Sequence, residues 1–181
     1  MRTLFLIFGL LLPLVSACAS GPRPVPAPEP VAHVDLGHDH IPNPRFPHAP
    51  YNSNPGTSGS HTPYTAPWGV HEKPVPPEVF IHNLEHGGIV IGYRCPDECP
   101  ELAEQLARYA EDRDLVIVAP NPALDSPIVL AAWAHTLSLS RLDDTGRAAI
   151  ERFLESFYGV DHHPPGGHPH SAPPSGGSPA P

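Results

Sequence analysis

Proline confines where this chain can build a core. Its 28 prolines and 15 glycines crowd residues 19–77 and 160–181. Proline lacks an amide hydrogen and fixes φ, so a helix or sheet interior excludes it. Polar, proline-rich segments also bury too little apolar surface to offset the entropy of ordering them. The compact core must therefore come mostly from about residues 50–160, enough for one domain.

The ends read differently. Met1-Arg2 opens a short basic region, and Leu4–Val15 is an apolar run broken by Pro13, too short to span a bilayer comfortably. It leads into Val15-Ser-Ala-Cys18. These small residues before a cysteine resemble the lipobox of bacterial lipoproteins, which implies cleavage after residue 17 and lipid on Cys18. The expectation is an extracytoplasmic protein, periplasmic or at the cell surface, anchored to a bacterial membrane through that lipid. Residues 18–49 then read as a Pro/His-rich tether with polyproline II character, 50–160 as the domain, and 161–181 as a His/Pro/Gly-rich tail without a core. A formal net charge of −9 argues against a nucleic-acid partner, since phosphate binding needs a basic surface.

Within the core region, Glu78–Ile81 and Gly88–Tyr93 read as β-prone runs. Pro100 suits the first position of a helix, with Leu102, Leu106 and Tyr109 on one face. Leu115–Ala119 is a continuous apolar run and predicts a buried strand. Ile128–Leu139 reads as a further strand, straight or bent. A last helix is capped by Asp143 or Asp144 and closed by Gly159. This order predicts an α+β fold: a mixed sheet covered by helices, either a thioredoxin-like arrangement or a ferredoxin-like sandwich.

The chemistry gathers in Val79–Cys99. The chain has 13 histidines against 10 lysines plus arginines, and histidine is the commonest side-chain metal ligand. His82 and His86 lie four residues apart, about 13 Å in a strand but about 5–6 Å in a helical turn. Gly87-Gly88 can end such a turn, which would let both rings share an ion. Glu85 would be a further ligand, a partner fixing a histidine tautomer, or a base. The letters also spell H-x-x-E-H, a zinc-peptidase motif that works on a long helix; the glycine pair leaves no room for one. His61, in a turn-rich loop near Tyr64 and Trp68, is the third expected nitrogen. His33, His38, His40 and His48 read first as solvated loop residues and second as accessory metal ligands; His71, beside charged Glu72 and Lys73, is a weaker candidate than His61. Cys95 and Cys99, between a strand and a helix, read equally as a structural disulfide or as a reactive thiol pair suited to soft copper.

Two resemblances add to this. Thr57-Ser-Gly-Ser-His61, Trp68 and His82-Asn-Leu-Glu-His86-Gly87 resemble the signature of a bacterial domain-of-unknown-function family of secreted and membrane-anchored proteins. The likeness implies that His61, His82 and His86 belong to one pattern. Gly92-Tyr-Arg-Cys-Pro-Asp-Glu-Cys-Pro100 is similar to the copper motif of Sco-type copper chaperones, which are thioredoxin-like and bind copper through two cysteines and a distant histidine. The expectation is a non-enzymatic metal carrier holding copper, with zinc as the alternative ion, and exchanging it with a recipient or donor metalloprotein. A metal-dependent hydrolase using Glu85 as base, or a thiol–disulfide protein using Cys95 and Cys99, is the alternative.

Overall fold

The computed structural model describes residues 26–163. The leader, Cys18, His168 and His170 lie outside the described residues. Six strands form one mixed sheet: β1 (Val31–Ala32), β2 (Gly69–Val70), β3 (Ile89–Tyr93), β4 (Val116–Pro120), β5 (Ile128–Ala132) and β6 (His135–Leu139). Three helices complete the fold: α1 (Pro77–Glu85), α2 (Pro100–Glu111) and α3 (Asp144–Phe157). The strand order is β1-β6-β5-β3-β4-β2. Among the described residues no helix is long and apolar enough to cross a membrane.

The expected α+β sheet is present, and its topology separates the two sandwiches. β3 and β4 are direct parallel neighbours joined through α2, and β5 is antiparallel to both β3 and β6. A ferredoxin-like sheet splits its β-α-β unit around another strand. Here nothing lies between β3 and β4, so the sheet is not split in the ferredoxin-like way. The central strands read as unbroken apolar runs because both faces are covered. Ile89, Ile91, Val116, Val118 and Leu130 pack with α2 and α3. Val90, Ile117, Ala119 and Ala131 pack with Phe80, Ile81 and Leu84 of α1.

Two expected elements are corrected. Glu78–Ile81 is helical, not a strand. The extended Pro76 caps a helix whose first residue is Pro77, with Glu78 in its first turn; a proline there costs no hydrogen bond and an acidic residue suits the positive end. The β-branched Val79 and Ile81 concealed this start. Ile128–Leu139 is a hairpin of two strands, turned at Trp133-Ala134 with Ala134 at φ 55°. Elsewhere the caps fall where expected: Asp143 accepts a hydrogen bond from the Gly146 amide at 2.9 Å.

α1 is tied to the preceding loop by Asn83. Its amide group accepts from the Ala66 amide at 2.8 Å and donates to the Ala66 carbonyl at 3.0 Å, all buried. Gly88 leaves space for an indole, since a Cβ there would fall 2.5 Å from Trp68. Truncation of Asn83 would strand a buried donor and a buried acceptor, each costing about 1–3 kcal/mol. Asn83→Ala is therefore expected to lose roughly 2–4 kcal/mol, read as a lower urea midpoint at unchanged slope.

Candidate metal centre

The last turn of α1 places His82 and Glu85 on one face, and His86 caps the helix with its amide bonded to the His82 carbonyl. The expected helical turn is therefore present: His82 Nε2 and His86 Nε2 lie 3.2 Å apart. The residues between them have structural duties. Leu84 is fully buried in the core, and Asn83 holds Ala66. Gly87 takes φ +77°, where a Cβ would lie 2.7 Å from the Gly159 carbonyl carbon.

His61 reaches the site from an ordered, buried loop. Thr57, Ser58 and His61 are all fully buried. The Ala134 amide bonds to the Thr57 carbonyl at 3.1 Å, and Tyr51 donates to the Ser60 carbonyl at 2.7 Å. A second segment runs alongside. The His61 amide donates to the Asp39 carbonyl and the Ile41 amide to the His61 carbonyl, forming a parallel bridge between His40 and His61. That pairing brings His38 and His40 to the site.

Glu85, 2% exposed, is the meeting point. His38 Nδ1 donates to its Oε1 at 2.6 Å. Oε2 lies 3.2 Å from His61 Nε2, 3.4 Å from His82 Nδ1 and 3.7 Å from His163 Nε2. Burial pushes this carboxyl up, but its hydrogen bonds with His61 and His38, and the nearness of His61 and His163, outweigh it and hold it at about 2. Burial, with His61 and His86 alongside, lowers His82 to about 3, so its ring stays neutral in mild acid.

Four residues, His40, His61, His82 and Glu85, each offer a ligand atom within 4.8 Å of the others. Two features fit an ion. Among the described residues, His82 Nδ1 is the buried side-chain atom that makes no hydrogen bond, and it faces Glu85. His61 Nδ1 donates to the Gly59 carbonyl at 2.7 Å; Nε2 can donate to Glu85 only on a protonated ring, and on the neutral ring its lone pair faces the carboxylate, an arrangement that a cation between them resolves. That outer hydrogen bond is the usual way a metal-binding histidine is oriented. Ligands about 2.0–2.2 Å from a tetrahedral ion sit about 3.3–3.6 Å apart, close to the 3.2 and 3.4 Å separations at Oε2.

The three expected histidines are not brought into one group: His61 and His82 share the first, whereas His86 joins His82 and His163 in another. His38 and His40, read from sequence as solvated, contact or complete the site. The missed signal was their spacing to the buried T-S-G-S-H loop, which is a pairing across chain segments and has no local pattern. His33 bonds Thr136, His48 lies near Glu78 and His71 bonds the Pro67 carbonyl; none joins either group. His135 is half-buried and packs on Phe157 at 4.4 Å. Trp133 walls the site, stacked on His38 at 4.5 Å and donating to Asp35.

Cys95 and Cys99 form a disulfide at the other end of β3, with Cys99 as the cap of α2. The bridge borders a cavity of about 520 Å³ whose lining includes Tyr93, Arg94 and Pro120. A five-residue strand, about 17 Å long, separates it from the histidines.

A family model described as "Protein of unknown function (DUF3105)" matches residues 47–172. The chain belongs to the DUF3105 family. The match spans His61, α1, the disulfide and His163, while His38 and His40 precede it. No curated protein and no solved structure matches the chain.

The two shifted groups make acid destabilising. Between 6.5 and about 3 for His82, and between 4.5 and about 2 for Glu85, the unfolded chain binds more protons than the folded one. The stability they contribute is complete above those upper values and is lost as pH falls through each window. For metal-free protein, the Tm is expected to fall from about pH 7 to about pH 4. His82→Gln should flatten the upper part of that fall; an unchanged acid slope would place its origin elsewhere.

Proposed function

We propose that this DUF3105 protein is an extracytoplasmic binding protein for a transition metal, with copper as the ion, anchored through lipid on Cys18. The reading is carried by the convergence of His40, His61, His82 and Glu85 around a buried imidazole nitrogen without a hydrogen bond. Imidazole and carboxylate donors suit borderline divalent ions, and affinity for such sites runs higher for Cu(II) than for Zn(II). Ion exchange with a donor or recipient metalloprotein outside the cytoplasm is part of the proposal.

Binding is favoured over hydrolysis by the state of Glu85. A general base works best with a pKa near the operating pH, whereas this carboxylate sits at about 2 with both oxygens engaged. α1 also ends at Glu85, so the H-x-x-E-H letters do not lie on a long helix.

The test is metal content of the purified full chain after loading with Cu(II) or Zn(II) and dialysis. Wild type is expected to retain copper in preference to zinc, and His61→Ala and His82→Ala to lose the tightly held ion. His38→Ala, which removes a partner orienting Glu85, should weaken binding by about 10–100-fold. Retention of the ion in both His61→Ala and His82→Ala would refute the site.

A further inference from the structure

We infer that His86 and His163 form a second ion position beside the first, and that His82 is shared between the two. The imidazole of His82 faces two ways. Its Nδ1 lies 3.4 Å from Glu85 Oε2, and its Nε2 lies 3.2 Å from His86 Nε2. His82, His86 and His163 each offer a ligand atom within 4.8 Å of the others, and the His86 and His163 rings are 4.1 Å apart. The 3.2 Å separation is close to the edge of a tetrahedron around an ion with nitrogen ligands about 2.0–2.1 Å away.

His163 arrives preset for this role. Its Nδ1 donates to Asp161 Oδ1 at 2.6 Å, and the same oxygen accepts the His163 amide at 3.0 Å. A carboxylate on one ring nitrogen fixes the tautomer that turns the other nitrogen's lone pair to a metal. Backbone contacts deliver this segment to α1: the Gly159 amide donates to the Gly87 carbonyl at 2.8 Å, and the His162 amide to the Glu85 carbonyl at 2.9 Å. The close approach at Gly87, where a Cβ would meet Gly159 at 2.7 Å, keeps the chain ends together. The carbonyl-rich end of α1 adds a field that favours a cation.

Three imidazoles select a borderline divalent ion such as Cu(II) or Zn(II). His86 and His163 are partly exposed, so this position keeps a face for water or an incoming ligand; in the first group His61, His82 and Glu85 are buried and His40 is exposed. When both positions fill, both nitrogens of His82 are bound and its single ring proton passes to solvent.

This second position goes beyond the proposed function and shares one residue with it, so the test must separate them. The full chain is titrated with Cu(II), following bound metal and the electron-spin signal together. Wild type should bind two tight equivalents. The signal should rise through the first and fall through the second, because two Cu(II) ions bridged by one imidazole couple magnetically. His86→Ala/His163→Ala should bind one tight equivalent and keep an undiminished signal. Asp161→Asn, which leaves every ligand in place, should weaken only the second equivalent, by about 10–100-fold. One equivalent in wild type, unchanged in the double variant, overturns the second position while leaving the first intact. Two equivalents with a signal that rises to two full spins overturns the sharing of His82. Failure of wild type to bind any copper overturns both sites.

Discussion

A carboxylate shut away from water must be compensated, and Glu85 shows how much of this molecule does so. A buried unpaired charge costs several kcal/mol, and Glu85 is also the last residue of α1, where backbone carbonyls make an anion less welcome. Compensation comes from His38 and His61 on two separate loops, from His82 one turn earlier, and from His163 beyond α3. The carboxylate adds to the backbone pairing that brings these segments together. Neutral imidazoles satisfy it only in part, because a ring that already donates elsewhere, as His61 does to Gly59, turns a lone pair towards it. The whole arrangement favours additional positive charge at one spot.

The loops that carry these rings are held by backbone pairing. His40 and His61 are linked by a two-segment bridge, Thr57 is tied to the β5–β6 turn, and the chain after α3 is tied to Gly87 and Glu85. A T-S-G-S-H loop buried at every residue but Ser60 is unusual because buried backbone needs partners; here neighbouring strands and turns provide them. Such scaffolding fixes ring positions before any ion binds, which reduces the ordering cost of binding.

Sequence pattern revealed the sheet because its strands are covered on both faces, and a run such as Val116–Ala119 has no other stable setting. It revealed the helical turn at His82–His86 through a distance argument and the glycine pair. It misread α1 at Val79 and Ile81, where β-branched residues on a short helix look like a strand until the Pro76-Pro77 start is weighed. It could not place His38 or His40, whose positions depend on pairing with a loop some twenty residues away. Nor could it divide the histidines correctly: His86 sits with His163 because the chain folds back after α3, a tertiary event with no local signature.

The H-x-x-E-H spelling shows why a motif needs its geometry. In a peptidase of that type, the glutamate must be free to take a proton from a metal-bound water. Here Oε1 is held by His38 and Oε2 is ringed by His61, His82 and His163, so the group most needed as a base is the one most fully occupied. The two histidines of the motif also diverge in role, since opposite nitrogens of His82 face Glu85 and His86. Four residues of helix spacing that would close around one catalytic ion on a long helix instead sit at a helix end, where the ring at the first position reaches inward and the ring at the last reaches outward.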